Sequence, residues 1–176
     1  MENVFLTAPS EQYRAGFLAL AADYKTNGEK KYFESYREAC EDFSAYVRKL
    51  TDHAEGKNLP EGWVPSHTFW LVNAAGDVLG NIRIRHTLGS EWLKNIAGHI
   101  GYDVAPSFRR LGYGTAMLRF GLEKARELGL DGVMISCEKS NEGSRKIIEA
   151  CGGIFERLST DRDGSVYRVY HIPLAR

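Results

Sequence analysis

SFRRLGYGTAML, residues 107–118, sets two arginines and two closely spaced glycines directly ahead of a run with helical spacing. Glycines at 112 and 114 remove Cβ atoms where the chain enters the helix, so the backbone can curl and a ligand can approach it closely. The first N–H groups of a helix lack intrahelical partners and its N-terminus is partly positive, which makes a ready anion site. Arg109 and Arg110 add charge. The stretch therefore reads as a phosphate cradle or as a tight turn with two surface arginines, and its flanks must decide.

Downstream, Met117, Leu118, Gly121, Leu122, Ala125 and Leu128 form an apolar stripe at helical spacing that stops at Gly129. Val133 to Cys137 is a short apolar run, as expected of a strand buried on both faces. Asn141 is a candidate cap for a helix carrying Ile147, Ile148 and Cys151, ended by Gly152-Gly153. Ile154–Leu158 and Val166–Ile172 read as the last strands, with a turn at Asp161–Gly164 between them. Upstream, Ile96 to Val104 reads as a strand closed by Ala105-Pro106. Thr68–Val72 and Val78–Arg85 read as a hairpin across Asn73–Asp77.

The first 66 residues have another character. Val4–Leu6 is a short strand, and Ser10 precedes a helix with Tyr13, Phe17, Leu18 and Ala21 on one face. A second helix is expected from Tyr36 to His53, followed by a loop with two prolines and an exposed-type Trp63. Strands, then strand-loop-helix-strand-helix, then strands again indicate one α+β domain, a mixed α/β fold.

Composition narrows the function classes. The 176 residues, 43% hydrophobic and 26% charged, suit an ordinary globular domain. Twenty-three basic residues balance 23 acidic ones, which argues against a general nucleic-acid binder. Cys40, Cys137 and Cys151 are odd in number and far apart, so they suggest reduced thiols and neither a disulfide framework nor a metal site. No signal-like N-terminus and no apolar run of about 20 residues is found, so a cytoplasmic protein off the membrane is expected.

Which phosphate site fits? A P-loop needs Lys-Ser/Thr after its last glycine, where Thr115-Ala116 stands, and a dinucleotide fingerprint needs Gly or Ala where Met117 stands. The pattern present is Arg-x-x-Gly-x-Gly, at Arg109-Arg-Leu-Gly112-Tyr-Gly114. With its flanks, residues 98–153, it resembles the GCN5-related N-acetyltransferase (GNAT) family in order: strand, diphosphate loop, helix, strand, Asn at the next helix start, glycine end. The resemblance covers about 67–160 and is closest to the branch that includes ribosomal-protein N-acetyltransferases.

The resemblance implies a single domain over 1–176, with an acceptor-side helical region over 1–66, a coenzyme core over 67–160 and a C-terminal strand over 161–176. Its fold would be a central mixed, mostly antiparallel sheet flanked by helices. It implies acetyl-CoA as co-substrate, no metal, an amine acceptor (a small molecule or a protein N-terminus), and a possible homodimer. By position, the Val104 backbone would bond the acetyl group and pantetheine, and the amides of Arg109, Arg110, Leu111, Gly112, Tyr113, Gly114 and Thr115 would hold the diphosphate. Asn141 would lie near the pantetheine arm or serve as a plain helix cap, and Arg145 and Lys146 would reach the ribose phosphate or form an exposed face.

Transfer to an amine requires its neutral form. A primary amine of pKa ~10.4 is only about one part in 2,500 neutral at pH 7, a handicap of roughly 4.6 kcal/mol, so a base is wanted. His99, about where many relatives carry a glutamate, is the expected base, with His86, Glu91 and Asp103 as weaker candidates. Many relatives carry a tyrosine acid where this chain has Ile148, so the acid must be Tyr102, Tyr113 or water, or none is used. A coenzyme-A-binding module without catalysis is the alternative. His67 and Trp63 are expected at the acceptor cleft, whose acidic neighbours Glu34, Glu38, Glu41 and Asp42 suggest a cationic acceptor or simply a solvated face.

Overall fold

Alternation along one strand organises the molecule. In 78–85, Ile82 and Ile84 are buried on one face while Arg83 and Arg85 lie half-buried on the other, so this strand separates two layers of helices. The computed structural model describes residues 3–174. Its elements are β1 (Val4–Thr7), α1 (Arg14–Thr26), α2 (Lys30–Ser35), α3 (Arg37–Glu41), α4 (Phe43–Ala54), β2 (Ser66–Asn73) and β3 (Val78–Arg85). There follow β4 (Ile100–Val104), α5 (Tyr113–Glu127), β5 (Gly132–Glu138), α6 (Glu142–Ala150), β6 (Ile154–Thr160) and β7 (Val166–Pro173).

The strands form one seven-stranded sheet in the order β1-β2-β3-β4-β5-β7-β6. Its pairs are antiparallel except β4 with β5, which are joined through α5 and run parallel. The β2–β3 hairpin closes as expected at residues 73–77, where the Asn73 side chain accepts from the N–H groups of Ala75 and Asp77.

The stripe of α5 lies on one face, with Met117, Leu118 and Ala125 fully buried against Ile82, Ile84 and Ile135. The other face carries α1, α3 and α4, where Phe17 and Tyr24 of α1, Tyr36 between α2 and α3, and Phe43 and Tyr46 of α4 cluster with Trp70. Trp70 is fully buried, 4.6 Å from Phe17 between ring centroids. An aromatic of this size removes 150–250 Å² from water, so this cluster is a main anchor of the N-terminal helices.

Two expectations are corrected. The helix expected over Tyr36–His53 is broken at Asp42, whose backbone is extended (φ −144°, ψ 92°) and whose carboxylate accepts from Ala45 N–H at 2.9 Å. Asp42 thus caps α4 rather than lying inside a longer helix, and α2 precedes it unannounced. The strand expected from Ile96 begins only at Ile100, because Leu93–Ala97 form a π-helical turn that ends at Gly98. Gly98 has φ +66°, and a Cβ there would sit 2.4 Å from the Met134 carbonyl oxygen.

Candidate active site

Strands β4 and β5 touch at one end only. Their register is Ile100 opposite Ile135, reinforced by His99 N–H to the Met134 carbonyl at 2.7 Å. On its other side β4 bonds β3 through odd-numbered residues, since Arg85 N–H donates to His99 and Ala105 N–H to Leu79. Backbone groups alternate in direction along an antiparallel edge, so those of Tyr102 and Val104 point toward β5 where β5 no longer pairs. The gap opens into a cavity of about 170 Å³ lined by Tyr102, Val104, Arg110, Gly114, Asn141 and Ser144.

The quoted loop closes one end of this cavity. Arg110 and Gly112 both have left-handed backbones (φ +65° and +87°). Gly112 caps α5, with no side chain bonding its end. The first helical bond is Ala116 N–H to the Gly112 carbonyl, so the amides of Tyr113, Gly114 and Thr115 precede it. These amides with Gly112 are suited to a diphosphate. Leu111 is exposed and Thr115 half-buried beside them.

Arg109 has a different duty. Its Nε donates to the Val104 carbonyl at 2.8 Å, and its two terminal nitrogens grip the Glu29 carboxylate at 2.5 and 2.9 Å. It also lies over the Tyr24 ring, and Glu29 pushes its pKa further up. It therefore ties the end of β4 to the start of α2, and leaves the Val104 N–H as that residue's group toward the gap. Gly114 is also more than an open backbone: a Cβ there would lie 2.6 Å from Ile147 Cδ1, so its absence seats α6 against α5. Asn141 lines the cavity and caps α6 as well, its Oδ1 accepting from Ser144 N–H at 3.0 Å. Arg145 pairs with Glu142 and Glu149, while Lys146 is exposed.

A second cavity, about 630 Å³, lies under the N-terminal helices and shares Tyr32, Tyr102 and Asp103 with the first. Asp103 is central: Oδ1 accepts from Tyr24 OH at 2.5 Å and Oδ2 from Tyr36 OH at 2.6 Å. Burial raises its pKa, while those two bonds and Arg109 oppose the rise. On the other side of β4, Tyr102 OH shares a 2.8 Å hydrogen bond with Ser144 Oγ, and burial raises its pKa. Consecutive residues thus serve opposite faces of one strand.

Other expected residues stand elsewhere. His99 lines neither cavity; it sits at the closed end of the β4–β5 gap, four residues from Asp103, roughly 13 Å at ~3.3 Å per residue. Its Nδ1 accepts from Met134 N–H at 3.0 Å, which leaves the neutral ring with a proton on Nε2 and no lone pair for an acceptor. Burial lowers its pKa. His67 pairs with Ile84 and so faces away from the second cavity, 2.7 Å from His86 Nε2. Glu91 is an exposed partner of Lys94. Tyr113 is buried edge-on to Phe108 and its side chain lines neither cavity. Burial raises the Cys137 and Cys151 thiols, as suits packing groups.

Trp63 lines the second cavity together with Arg83, Arg85 and Trp92, which the sequence did not single out. Their signal was present in the alternation of β3, where arginines at 83 and 85 had to share a face. Among the described residues, no group of three or more His, Cys, Asp or Glu is placed to hold a metal, and no helix is long and apolar enough to cross a membrane.

The family model described as an acetyltransferase (GNAT) domain matches residues 4–154. No curated protein matches the sequence. Similar solved structures include Mycobacterium smegmatis RimJ in complex with CoA-disulfide, with TM-score 0.71 and 18% identity over 97% of this chain and 81% of that one. The microcin C7 self-immunity acetyltransferase in complex with acetyl-CoA and AMP has TM-score 0.67 and 14% identity over 98% and 93%. A Vibrio cholerae spermidine N-acetyltransferase chimera has TM-score 0.60 and 13% identity over 97% and 95%. At these identities the likeness is one of fold.

Proposed function

The chain belongs to the GNAT acetyltransferase family and is an acetyl-CoA-dependent N-acetyltransferase; from that premise we propose that it acetylates an amine held in the second cavity by direct transfer at the gap between β4 and β5. The described chain acts as one unit, with the helices of the N-terminal region roofing the acceptor side. The observation that carries the reading is that Asp103 and Tyr102 border both cavities while serving opposite faces of β4.

The residues fit the coenzyme. The uncapped start of α5 offers the amides of Tyr113, Gly114 and Thr115 to a diphosphate, and the β4 edge offers the backbone groups of Tyr102 to the pantetheine arm, which keeps Val104 N–H for the acetyl group. Acetyl-CoA supplies a thioester whose C–S bond breaks as the new C–N bond forms. Asp103 takes the proton that the amine sheds, and its raised pKa brings it nearer the working range of a base. Val104 N–H faces the carbonyl oxygen as charge builds there, a kind of contact typically worth ~3–4 kcal/mol. Tyr102 keeps its proton because of burial, and donates a hydrogen bond to the leaving sulfur, whose thiol pKa near ~8.5 demands little more.

The test is thiol release from acetyl-CoA across a panel of amines, beside calorimetric binding of the coenzyme. Amine-dependent release bears the reading out. Coenzyme binding with no turnover on any amine overturns it and favours a non-catalytic coenzyme-A module.

A further inference from the structure

The second cavity is cationic. Lys31, Lys49, Arg83 and Arg85 line it against one carboxylate, Asp103, which Tyr24 and Tyr36 already engage. Lys49 has a partner in Glu38, but among the described residues neither Arg83 nor Arg85 forms an ion pair. Arg85 has one bond, from Nη1 to the Gly98 carbonyl at 3.1 Å, although a guanidinium carries five donors. Arg83 lies 5.5 Å from the Trp63 ring centroid. The two arginines sit two residues apart on one face of β3, and the Arg85 pKa is lowered by burial and then by the charge of Arg83.

Two like charges held together without a counter-charge are an unfavourable arrangement that a bound anion relieves. The walls around them agree. Trp63 and Trp92, 48% and 49% exposed, bound a smaller recess with Arg83, Arg85, Ser66 and Ser90. Trp92 is held by its Nε1 donating to Asp161, which does not line the recess. Large aromatics left this exposed beside unpaired guanidinium groups make a wall for a flat or apolar body attached to an anion.

Resting on the acetyl-transfer reading above, we propose that the acceptor is an amine bearing a carboxylate or phosphate at its far end, gripped by Arg83 and Arg85 between Trp63 and Trp92. The strand register sets its length. Asp103 is opposite Asn81, Gly101 opposite Arg83 and His99 opposite Arg85, so the backbone positions of the two arginines lie two and four residues along the sheet from that of the base, roughly 7 and 13 Å. That spacing favours an acceptor whose anion and amine are separated by several bonds over one that carries both on the same carbon. The acidic helical face that suggested a cationic acceptor is engaged by the protein's own groups: Glu34 pairs with Arg37, Glu38 with the cavity's Lys49, and Asp42 caps α4. Arg83 and Arg85 are positioning and specificity residues, and the reacting atoms remain at Asp103.

The experiment pairs acceptors that differ only in their end: an aminoalkyl phosphate with its alcohol, a long ω-amino acid with its amide, and spermidine as a cationic contrast. Thiol release is followed for wild type, R83Q and R83K. The anionic member of each pair should exceed its neutral counterpart at least tenfold in kcat/KM. R83Q should raise KM for the anionic members while sparing kcat, and R83K should recover part of the loss. Whichever pair shows the larger ratio identifies carboxylate or phosphate as the anion. Equal turnover within both pairs, a preference for spermidine, or an unchanged ratio in R83Q overturns the proposal. Calorimetry with phenyl phosphate, which has no amine, separates the two readings. Binding that R83Q abolishes supports the anion site even if no amine turns over, whereas no binding to wild type overturns it even if neutral amines are acetylated.

Discussion

At the residue scale the proposed chemistry turns on Asp103, which sequence order hides. Its two phenol partners lie 79 and 67 residues away, at Tyr24 and Tyr36, so nothing local marks it as more than one acidic strand residue. His99 looked the better base because imidazole titrates in the right range, yet its Nδ1 is used by Met134 N–H. D103N should lower kcat by about 10²–10⁴, the usual scale of general-base catalysis. Sign follows from the direction of the shift: the working form is the carboxylate, its pKa lies above the ordinary 3.8, and activity falls as pH drops through that raised value. The acid limb of the kcat profile should vanish in D103N, measured at saturating acetyl-CoA, and survive unchanged in H99A. H99A should instead cost about 1–3 kcal/mol in urea unfolding, because the Met134 amide loses its acceptor. Should H99A erase the limb and D103N keep it, the two roles are reversed. Y102F, which removes a donor near the leaving sulfur, should slow kcat about tenfold, the equivalent of one hydrogen bond.

At the element scale, α5 and its entry were readable because their signals are local. A 3.6-residue stripe from Met117 to Leu128, two glycines and a missing side-chain cap lie within one stretch, and the helix forms where they put it. The breaks around Asp42 and Gly98 were not, since apolar residues at 36–53 and 96–104 continue across them. What interrupts each element is one backbone conformation, chosen by a cap in one case and by the approach of Met134 in the other. The glycine entry yields a sharp test. In G112D, a non-glycine side chain must take φ +87°, at a cost of about 1–2 kcal/mol, and sets a carboxylate beside the amides of α5. Titration should find no measurable acetyl-CoA binding while the circular dichroism stays native; retained affinity removes the diphosphate assignment. Asn141 separates packing from binding in the same way. N141D keeps an oxygen for Ser144 N–H and should hold its melting temperature, whereas N141A should lose about 1 kcal/mol. A coenzyme KM that rises in N141D at unchanged stability assigns the side chain to the coenzyme as well as to the cap.

At the scale of the whole molecule, the sheet and its α5 layer were legible, while the proposed acceptor side emerged only on assembly. Arg83, Arg85, Trp63 and Trp92 come from a strand and two loops, and α4 and α2 complete the cavity from residues that locally look like solvated helix. Assembly also buries histidines in a way that no single element foretells. His53, His67, His86 and His99 all have pKa values lowered chiefly by burial, with His86 also opposed by its neighbour His67 and His99 by Arg85 and His171. When a histidine's folded pKa lies below its unfolded value of about 6.5, the unfolded chain binds more protons in the interval between the two. Stability therefore falls as pH drops through that interval, and is fully present above the unfolded value. The exposed carboxylates whose pKa values are lowered by ion pairs or hydrogen bonds, Glu11, Glu91, Glu142 and Asp163, add a further loss only at lower pH. Asp103, raised by burial, works in the opposite sense at acid pH but is one group against four histidines. Melting temperatures measured from pH 8 to pH 5 should be level above about 7 and decline steadily below about 6.5. H67Q, which removes one ring from the His67–His86 contact, should make the decline shallower without changing the coenzyme affinity, since neither ring lines the cavity proposed for the coenzyme. A curve that is level or rising down to pH 5 means that these imidazoles keep their charge in the folded state, and that the interior around β2 and β4 is wetter than its packing indicates.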